Sequence, residues 1–484
     1  MDKPPLVTLP FSDVGQIVVP NSLDLITPYA LIEQGDWIED EIRFVRNLLM
    51  PGDQVIDIGA NLGVYTLSMA RIVGETGKVW SFEPSSTTAA MLAKSIALNA
   101  LGNVQLLRCA LSNHQGTARF SNKEFPELNA LIPDDSADSQ ASEQVALDTL
   151  DHCMKTYQWK NIAFIKLDAE GAEVDIIRGG QEFLKANSPL IQYEVKAEEQ
   201  LNLNLVEEFT HQGYESYRYV PGINGLIPFD CTEEIDDYLL NLFCCKADTA
   251  QKLAKRNLLV AKSSKAPKTI DVALLERYRW HKTLVSLPYG KLLSQAWQFA
   301  NNSSVDPRLD DAIASYLASQ DAALDVATRW HALDHSAKLL KQLCDEDPKY
   351  LRLASYSRAC KDCGLRNNAV NLLLRLYSEH IARNGLDFSE PFLSPCARFD
   401  SINPGISLVK WLASGVLEEV AVTGAYSSFY TGNRTQSILE KLRGLGFFSD
   451  HMETRLALIK ARHCGTGVGN RIPSELLQKQ RGPM

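Results

Sequence analysis

The sequence predicts an α/β protein: a doubly wound, mostly parallel sheet followed by an α-helical accessory domain. Three observations predict it. Apolar runs of strand length alternate with helix-length stretches from Gln54 to Lys246. A glycine-bearing loop follows the first of those strands directly, after Ile58. Beyond Thr269 the texture changes to leucine and alanine at helical spacing. Apolar strands alternating with helices indicate a parallel sheet covered on both faces.

The elements follow in order. Residues 1–50 read as a lead-in, turn-rich over 20–28 and of helical spacing over 37–45. Residues 55–58 form a strand, 62–73 a helix, 74–77 a turn and 78–82 a second strand. Residues 85–101 form a helix that Ser85 or Ser86 caps, and 104–110 a third strand. The stretch 123–143, rich in Asp, Ser and Pro, breaks the alternation. A loop of that length is a substrate-side lid or a mobile insertion. The pattern resumes with a strand over 162–167, a helix over 172–186, a strand over 190–195 and a short helix over 205–212. The last strands run to Lys246, with 222–225 as a turn.

This divides the chain into a lead-in (1–50), an α/β domain (51–260), a linker (261–270) and a helical domain (271–484). The linker, A-K-S-S-K-A-P-K-T over 261–269, is small, basic and polar. Within the helical domain, residues 350–377 read as a tetratricopeptide-type helix pair. Ala359 lies on its first helix, Gly364 at the turn, and Ala369 and Leu373 on the second. One such unit does not establish a repeat array.

The 484 residues are enough for two or three domains, and 45% hydrophobic with 22% charged residues is ordinary for a globular chain. A net charge of -10 argues against nucleic acid as a partner, which needs clustered Lys and Arg. Apolar runs fall short of the roughly 20 residues of a membrane span, and the first residues lack the plan of a signal peptide. The ten cysteines are scattered. Cys360 and Cys363 form a lone C-x-x-C with no second pair to complete a zinc site. The expectation is a reduced, cytoplasmic protein.

The sharpest motif is Asp57-Ile58-Gly59-Ala60-Asn61-Leu62-Gly63, straight after the first strand. Gly59 and Gly63 let backbone approach a ligand closely, and Asn61 tolerates the left-handed conformation the turn requires. The spacing is not the G-x-G-x-x-G of a dinucleotide site, which disfavours an NAD-dependent oxidoreductase. Asp57 suits the ammonium group of a cofactor that has a cationic sulfonium and an amino-acid tail. Glu83 stands 20 residues after Gly63, the offset of a ribose-binding acid. A tight turn alone would explain the glycines; the two motifs in strand–helix order point to a nucleoside-type cofactor.

The second cluster is Ile165-Lys166-Leu167-Asp168-Ala169-Glu170-Gly171-Ala172-Glu173. Side chains beyond the carboxyl ends of parallel strands share one rim. Asp168 and Glu170 should therefore join Gly59 and Glu83 there, with Glu194 from the next strand. A hydroxyl is a poor nucleophile until a carboxylate or a metal helps remove its proton. Lys166 reads as a substrate contact, a partner for an acid or a plain salt bridge. Glu173 reads as a helix-start acid facing the dipole. Three carboxylates can hold a divalent ion, but no metal ligands are assigned. His114 and His152 are possible bases, though lone histidines of this kind more often lie at the surface.

On these residues the chain resembles the FkbM-type methyltransferases, which have the class I Rossmann-like fold. The resemblance is carried by V-I-D-I-G-A-N-L-G-V-Y-T-L (55–67), F-E-P (82–84), Asn99, A-L-S-N (110–113) with Gly116, L-D-T-L-D (147–151), I-K-L-D-A-E-G-A-E (165–173) and the stretch 189–194. Ala169 stands where the family often has Val. The resemblance implies S-adenosylmethionine as methyl donor and a hydroxyl acceptor, on sugars of surface glycans or nodulation-type oligosaccharides or on polyketide-type products. It implies cofactor contacts at Asp57, Gly59, Asn61, Gly63 and Glu83, and substrate-side acids at Asp168, Glu170 and Glu194. The helical tail, with F-L-S-P-C-A-R-F-D over 392–400, looks like an extension of some bacterial members.

The function expected is O-methylation of a saccharide hydroxyl in glycan biosynthesis, with the helical domain binding the acceptor or a glycan-biosynthesis partner. A small natural product or a protein side chain is the rival acceptor. A helical interaction protein with a relic methyltransferase domain is the rival class. Gly59→Val is expected to abolish cofactor binding by blocking the backbone's approach to it.

Overall fold

The structure, a computed structural model, describes residues 4–12, 14–121, 123, 128–132, 141–197, 200–233, 235–262, 272–301, 306–383, 386–464 and 470–480. The chain forms two compact units. The first comprises Met1–Arg218, Leu239–Leu253 and Ala461–Met484; the second comprises Tyr219–Tyr238 and Ala254–Lys460.

The first unit opens with an antiparallel hairpin, β1 (Leu6–Phe11) and β2 (Gly15–Pro20), then α1 (Ile26–Gln34) and α2 (Glu41–Leu48). The lead-in therefore has regular structure where the sequence suggested turns over 20–28. Pro28 sits in the first turn of α1, where its missing N–H breaks no helical bond. Hairpin and helices bury Phe11, Ile17, Val19, Tyr29, Phe44 and Val45, so the segment is part of the core. Arg46 on α2 holds Asp36 through two bonds of 2.6 and 2.8 Å, which fixes the loop between α1 and α2.

Next come β3 (Gln54–Ile58), α3 (Val64–Val73), β4 (Lys78–Phe82), α4 (Ser86–Leu98) and β5 (Val104–Leu107). Ser85 caps α4, its side chain accepting from the Thr88 N–H at 3.3 Å. The strand expected over 104–110 is divided. After Leu107 the chain leaves the β4 edge, and β6 (Cys109–Leu111) joins a small second sheet. That sheet adds β7 (Gly116–Ser121), β8 (Leu131–Ile132) and β9 (Ser142–Asp148), in the order β6-β9-β7-β8. The stretch expected to be lid or insertion thus contributes β8 and the start of β9. Its residues 124–127 and 133–140 lie outside the described residues.

After α5 (Leu150–Tyr157) and β10 (Ile162–Leu167), the single helix expected over 172–186 is two, α6 (Glu173–Arg178) and α7 (Gln181–Ala186). Gly179 at the break is packed so closely that a Cβ would lie 2.1 Å from the Ser112 carbonyl oxygen. Then follow β11 (Leu190–Glu194), the short pair β12 (Lys196–Ala197) and β13 (Gln200–Leu201), α8 (Asn204–His211), β14 (Glu215–Val220), β15 (Gly225–Pro228), β16 (Asn241–Cys245) and α9 (Ala247–Lys255).

Within the first unit the main sheet runs β14-β16-β11-β10-β3-β4-β5. Neighbours from β11 to β5 pair in parallel, and β16 is antiparallel to β11 and β14. This is the doubly wound, mostly parallel Rossmann-like sheet expected. The chain order reverses between β3 and β10, which makes the crevice beyond their carboxyl ends the switch point where such sheets take ligands.

The second unit is built mainly of α10 (Val272–Leu275), α11 (Trp280–Thr283), α12 (Pro288–Asn301), α13 (Pro307–Ser319), α14 (Val326–Glu346), α15 (Tyr350–Asp362), α16 (Arg366–Arg375), α17 (Leu408–Thr423), α18 (Gly432–Arg443) and most of α19 (Asp450–Cys464). The last helix, α20 (Ser474–Gln480), falls in the first unit, where Asp24 accepts from Asn470. Buried rings anchor the second unit: Trp280 stands edge-on to Trp297 at 5.7 Å, and Tyr289 lies 5.0 Å from Trp411. The helix pair α15–α16 turns at Gly364 (φ 85°), with Ala359, Ala369 and Leu373 fully buried. Cys360 and Cys363 are buried thiols there. Of the expected linker, residues 263–270 lie outside the described residues. No helix among the described residues is long and apolar enough to cross a membrane.

Candidate active site

A cleft opens at the switch point between β3 and β10. Its walls include Asp57, Gly59, Asn61, Glu83, Lys166, Asp168 and Glu170. The two sequence motifs therefore meet at one place.

Asp57, near the end of β3, is buried and accepts from the Thr66 hydroxyl at 2.5 Å; that hydroxyl also lies 2.8 Å from Ser81. Burial pushes the Asp57 carboxyl up to about 6, against the Thr66 bond and the Lys166 charge. The loop after β3 is hung on the next strand, where the Gly59 and Ala60 N–H groups donate to the Phe82 carbonyl at 3.1 and 2.9 Å. Asn61 takes the left-handed conformation (φ 49°), as Gly59 (φ 78°) and Gly63 (φ 96°) do.

Glu83 leaves the end of β4 and is buried. Its two oxygens accept from the Asn61 and Ser85 N–H groups, each at 2.8 Å. Burial lifts this carboxyl to about 7 in spite of those bonds. The Asn61 Oδ1 atom is buried with no hydrogen-bond partner. An acceptor left in that state at the wall of a cleft calls for a donor from outside the protein.

The two glycines also meet a packing demand inside the protein. A Cβ on Gly59 would lie 1.7 Å from the Asp168 carbonyl oxygen, and one on Gly63 would lie 2.3 Å from Leu92 Cδ1.

Beyond β10 the chain turns sharply, with Glu170 (φ 47°) and Gly171 (φ 95°) both left-handed. Glu173 fastens this turn: its Oε1 accepts from the Ala169 N–H at 2.9 Å and its Oε2 from the Gly171 N–H at 3.0 Å. The expected helix-start acid is thus a buried clamp on the loop. Asp168, Glu170 and Glu194 come together, with one carboxylate oxygen of each within 4.8 Å of the others. Burial raises Glu170 to about 7, and burial with the Asp168 charge raises Glu194 well above the usual range. Lys166, also at the end of β10, bonds Asp168 at 3.0 Å.

The structure also brings in residues the motifs did not mark. Thr27, Trp37 and Glu39, from the N-terminal segment, line the cleft with Tyr65. Glu39 accepts from Trp37 Nε1 at 3.0 Å, the Tyr65 hydroxyl at 2.9 Å and Asn241 Nδ2 at 3.1 Å. No spacing rule ties Glu39 to Asn241; only the fold joins them. Across the cleft, Ala110, Leu111, Phe120 and Leu131 from the small sheet form an apolar wall beside Asn129. His114 and His152 are absent from the lining; they bond Asn113 at 2.6 Å and Asp148 at 2.8 Å and are exposed.

Residues 57–216 match the methyltransferase FkbM domain. The chain is 28% identical to Methyltransferase sdnD of Sordaria araneosa, the match covering 26% of this chain and 60% of that protein. It is 24% identical to Methyltransferase 1 of Beauveria bassiana, covering 26% of this chain and 57% of that one. The chain thus spans somewhat under two thirds of these relatives. Among solved structures, methyltransferase FkbM from Methylobacillus flagellatus aligns at 14% identity over 40% of this chain and 44% of that one, with a TM-score of 0.28.

Proposed function

We propose that this chain, which carries a methyltransferase FkbM domain at residues 57–216, is an S-adenosylmethionine-dependent O-methyltransferase acting on a saccharide hydroxyl in glycan biosynthesis. The observation that carries the reading is the convergence of Asp57, Glu83, Asp168 and Glu170 on one cleft at the switch point of a doubly wound sheet.

The residues fit the cofactor. Glu83 suits the ribose hydroxyls and Asp57 the ammonium group. The unpartnered Asn61 Oδ1 can accept from either. When bound, the cofactor supplies a methyl group on a cationic sulfur. Asp168 accepts the proton of the acceptor hydroxyl, and Glu170 and Glu194 orient the sugar through its other hydroxyls. Trp37, half-buried at the cleft, offers an apolar surface on which the C–H side of a sugar ring can rest. The apolar wall of Leu111, Phe120 and Leu131 favours a second reading, in which the acceptor is a hydroxyl of a small natural product.

The test is transfer from methyl-labelled S-adenosylmethionine to a panel of oligosaccharides, nucleotide-sugars and natural-product alcohols. Label in a saccharide is expected. Label in a natural-product alcohol alone selects the second reading. Cofactor binding with label in no hydroxyl overturns both.

A further inference from the structure

Lys166 stands near the carboxyl end of β10, two residues before Asp168, and its side chain is only 4% exposed. A buried ammonium is costly unless it is paired. Lys166 donates to Asp168 Oδ2 at 3.0 Å, and its Nζ lies 5.1 Å from the centre of the Tyr65 ring. Tyr65 is itself held at its hydroxyl, which accepts from Gln192 Nε2 at 2.9 Å and donates to Glu39 at 2.9 Å. Glu39, with Trp37 and Asn241 also donating to it, is satisfied by three donors and has little freedom to move. Burial works to neutralise Lys166, but Asp168, Glu39 and Glu194 outweigh it and keep the group charged. A cation fixed from several sides in this way gives the Asp168 carboxylate a definite orientation.

We propose that Lys166 is a positioning residue that holds one oxygen of Asp168 and so leaves the other to face the acceptor hydroxyl. The inference rests on the reading of Asp168 as the proton acceptor.

The test uses the full chain carrying Lys166→Met, Lys166→Arg, Asp168→Asn and the Lys166→Met/Asp168→Asn pair, with Lys166→Gln in reserve should the Met variant fail to fold. Turnover is read with the best acceptor of the labelled panel, and the Asp168 side chain is located in crystals of the Met or Gln variant. Lys166→Met is expected to lower kcat by about a hundredfold or more, with KM within about threefold. Lys166→Arg should recover at least about tenfold of that loss, since it restores a donor of like charge. In the Asp168→Asn background the Met change should cost less than about threefold, because two residues acting as a unit are not additive. The Asp168 carboxylate should leave its present position once Lys166 is gone. An equal loss in both backgrounds, or an Asp168 carboxylate that stays in place, would overturn the proposal. If Asp168→Asn turns over like the wild type, it is the reading of Asp168 as base that fails. The crystal result then still decides whether Lys166 orients it.

Discussion

The Asp168 carbonyl oxygen would lie 1.7 Å from a Cβ on Gly59, so the two motif loops are in direct backbone contact. The Asp168 N–H completes the join by donating to the Ile58 carbonyl at 3.1 Å. The cofactor-side turn and the acid-bearing turn are therefore one structural piece.

From that contact comes a stability prediction. Gly59→Ala forces the β3 and β10 loops apart in addition to carrying the left-handed penalty of about 1–2 kcal/mol. Its total cost should exceed about 3 kcal/mol in thermal or denaturant unfolding. Gly35 is the control. It is left-handed (φ 71°, ψ 2°) and nothing lies within 4 Å of its Cβ position, so Gly35→Ala should cost only about 1–2 kcal/mol. Equal losses at the two sites would refute the account of the loop contact.

Asp57 and Glu83 set a pH dependence. Burial holds them at about 6 and about 7, above the ordinary carboxyl range, so the folded protein binds these protons more tightly than the unfolded chain does. Their contribution to the stability of the unliganded protein should fall as pH rises from about 4 through 7, and Glu194, raised further, extends the fall above that. A cationic ligand favours the ionised forms. Affinity for S-adenosylmethionine should accordingly rise with pH over the same window, with protons released on binding. Calorimetry near pH 6.5 in buffers of unlike ionisation enthalpy measures that release; proton uptake, or affinity flat from pH 5 to 8, would count against these two acids as the cofactor contacts.

In the second unit Arg358 pairs with Asp400 through two bonds of 2.8 and 2.6 Å, and its Nε donates to the Tyr316 hydroxyl at 2.8 Å. Breaking such a half-buried pair leaves the Arg358 charge without its partner. Asp400→Ala should therefore destabilise the helical unit by about 1–3 kcal/mol, read as a lowered unfolding midpoint.

Much of this was readable from the residues. The D-x-G-x-x-x-G turn, Glu83 and the acids around Asp168 carried their own strand–helix context, and the apolar strands declared the parallel sheet. What escaped depended on partners far along the chain. The hairpin of β1 and β2 has Pro10 and no strong turn signal, so only pairing and burial reveal it. The break at Gly179 follows from packing against Ser112, which no local pattern shows. Glu39 looked like one acid in a helical stretch; Tyr65 and Asn241 make it part of the cleft.

The most direct test is a crystal structure of the full chain with S-adenosylhomocysteine. The ribose hydroxyls are expected within hydrogen-bond distance of Glu83, the amino-acid tail toward Asp57, and the sulfur facing Asp168. Density for the nucleoside elsewhere on the protein, with Glu83 and Asp57 untouched, would contradict that placement.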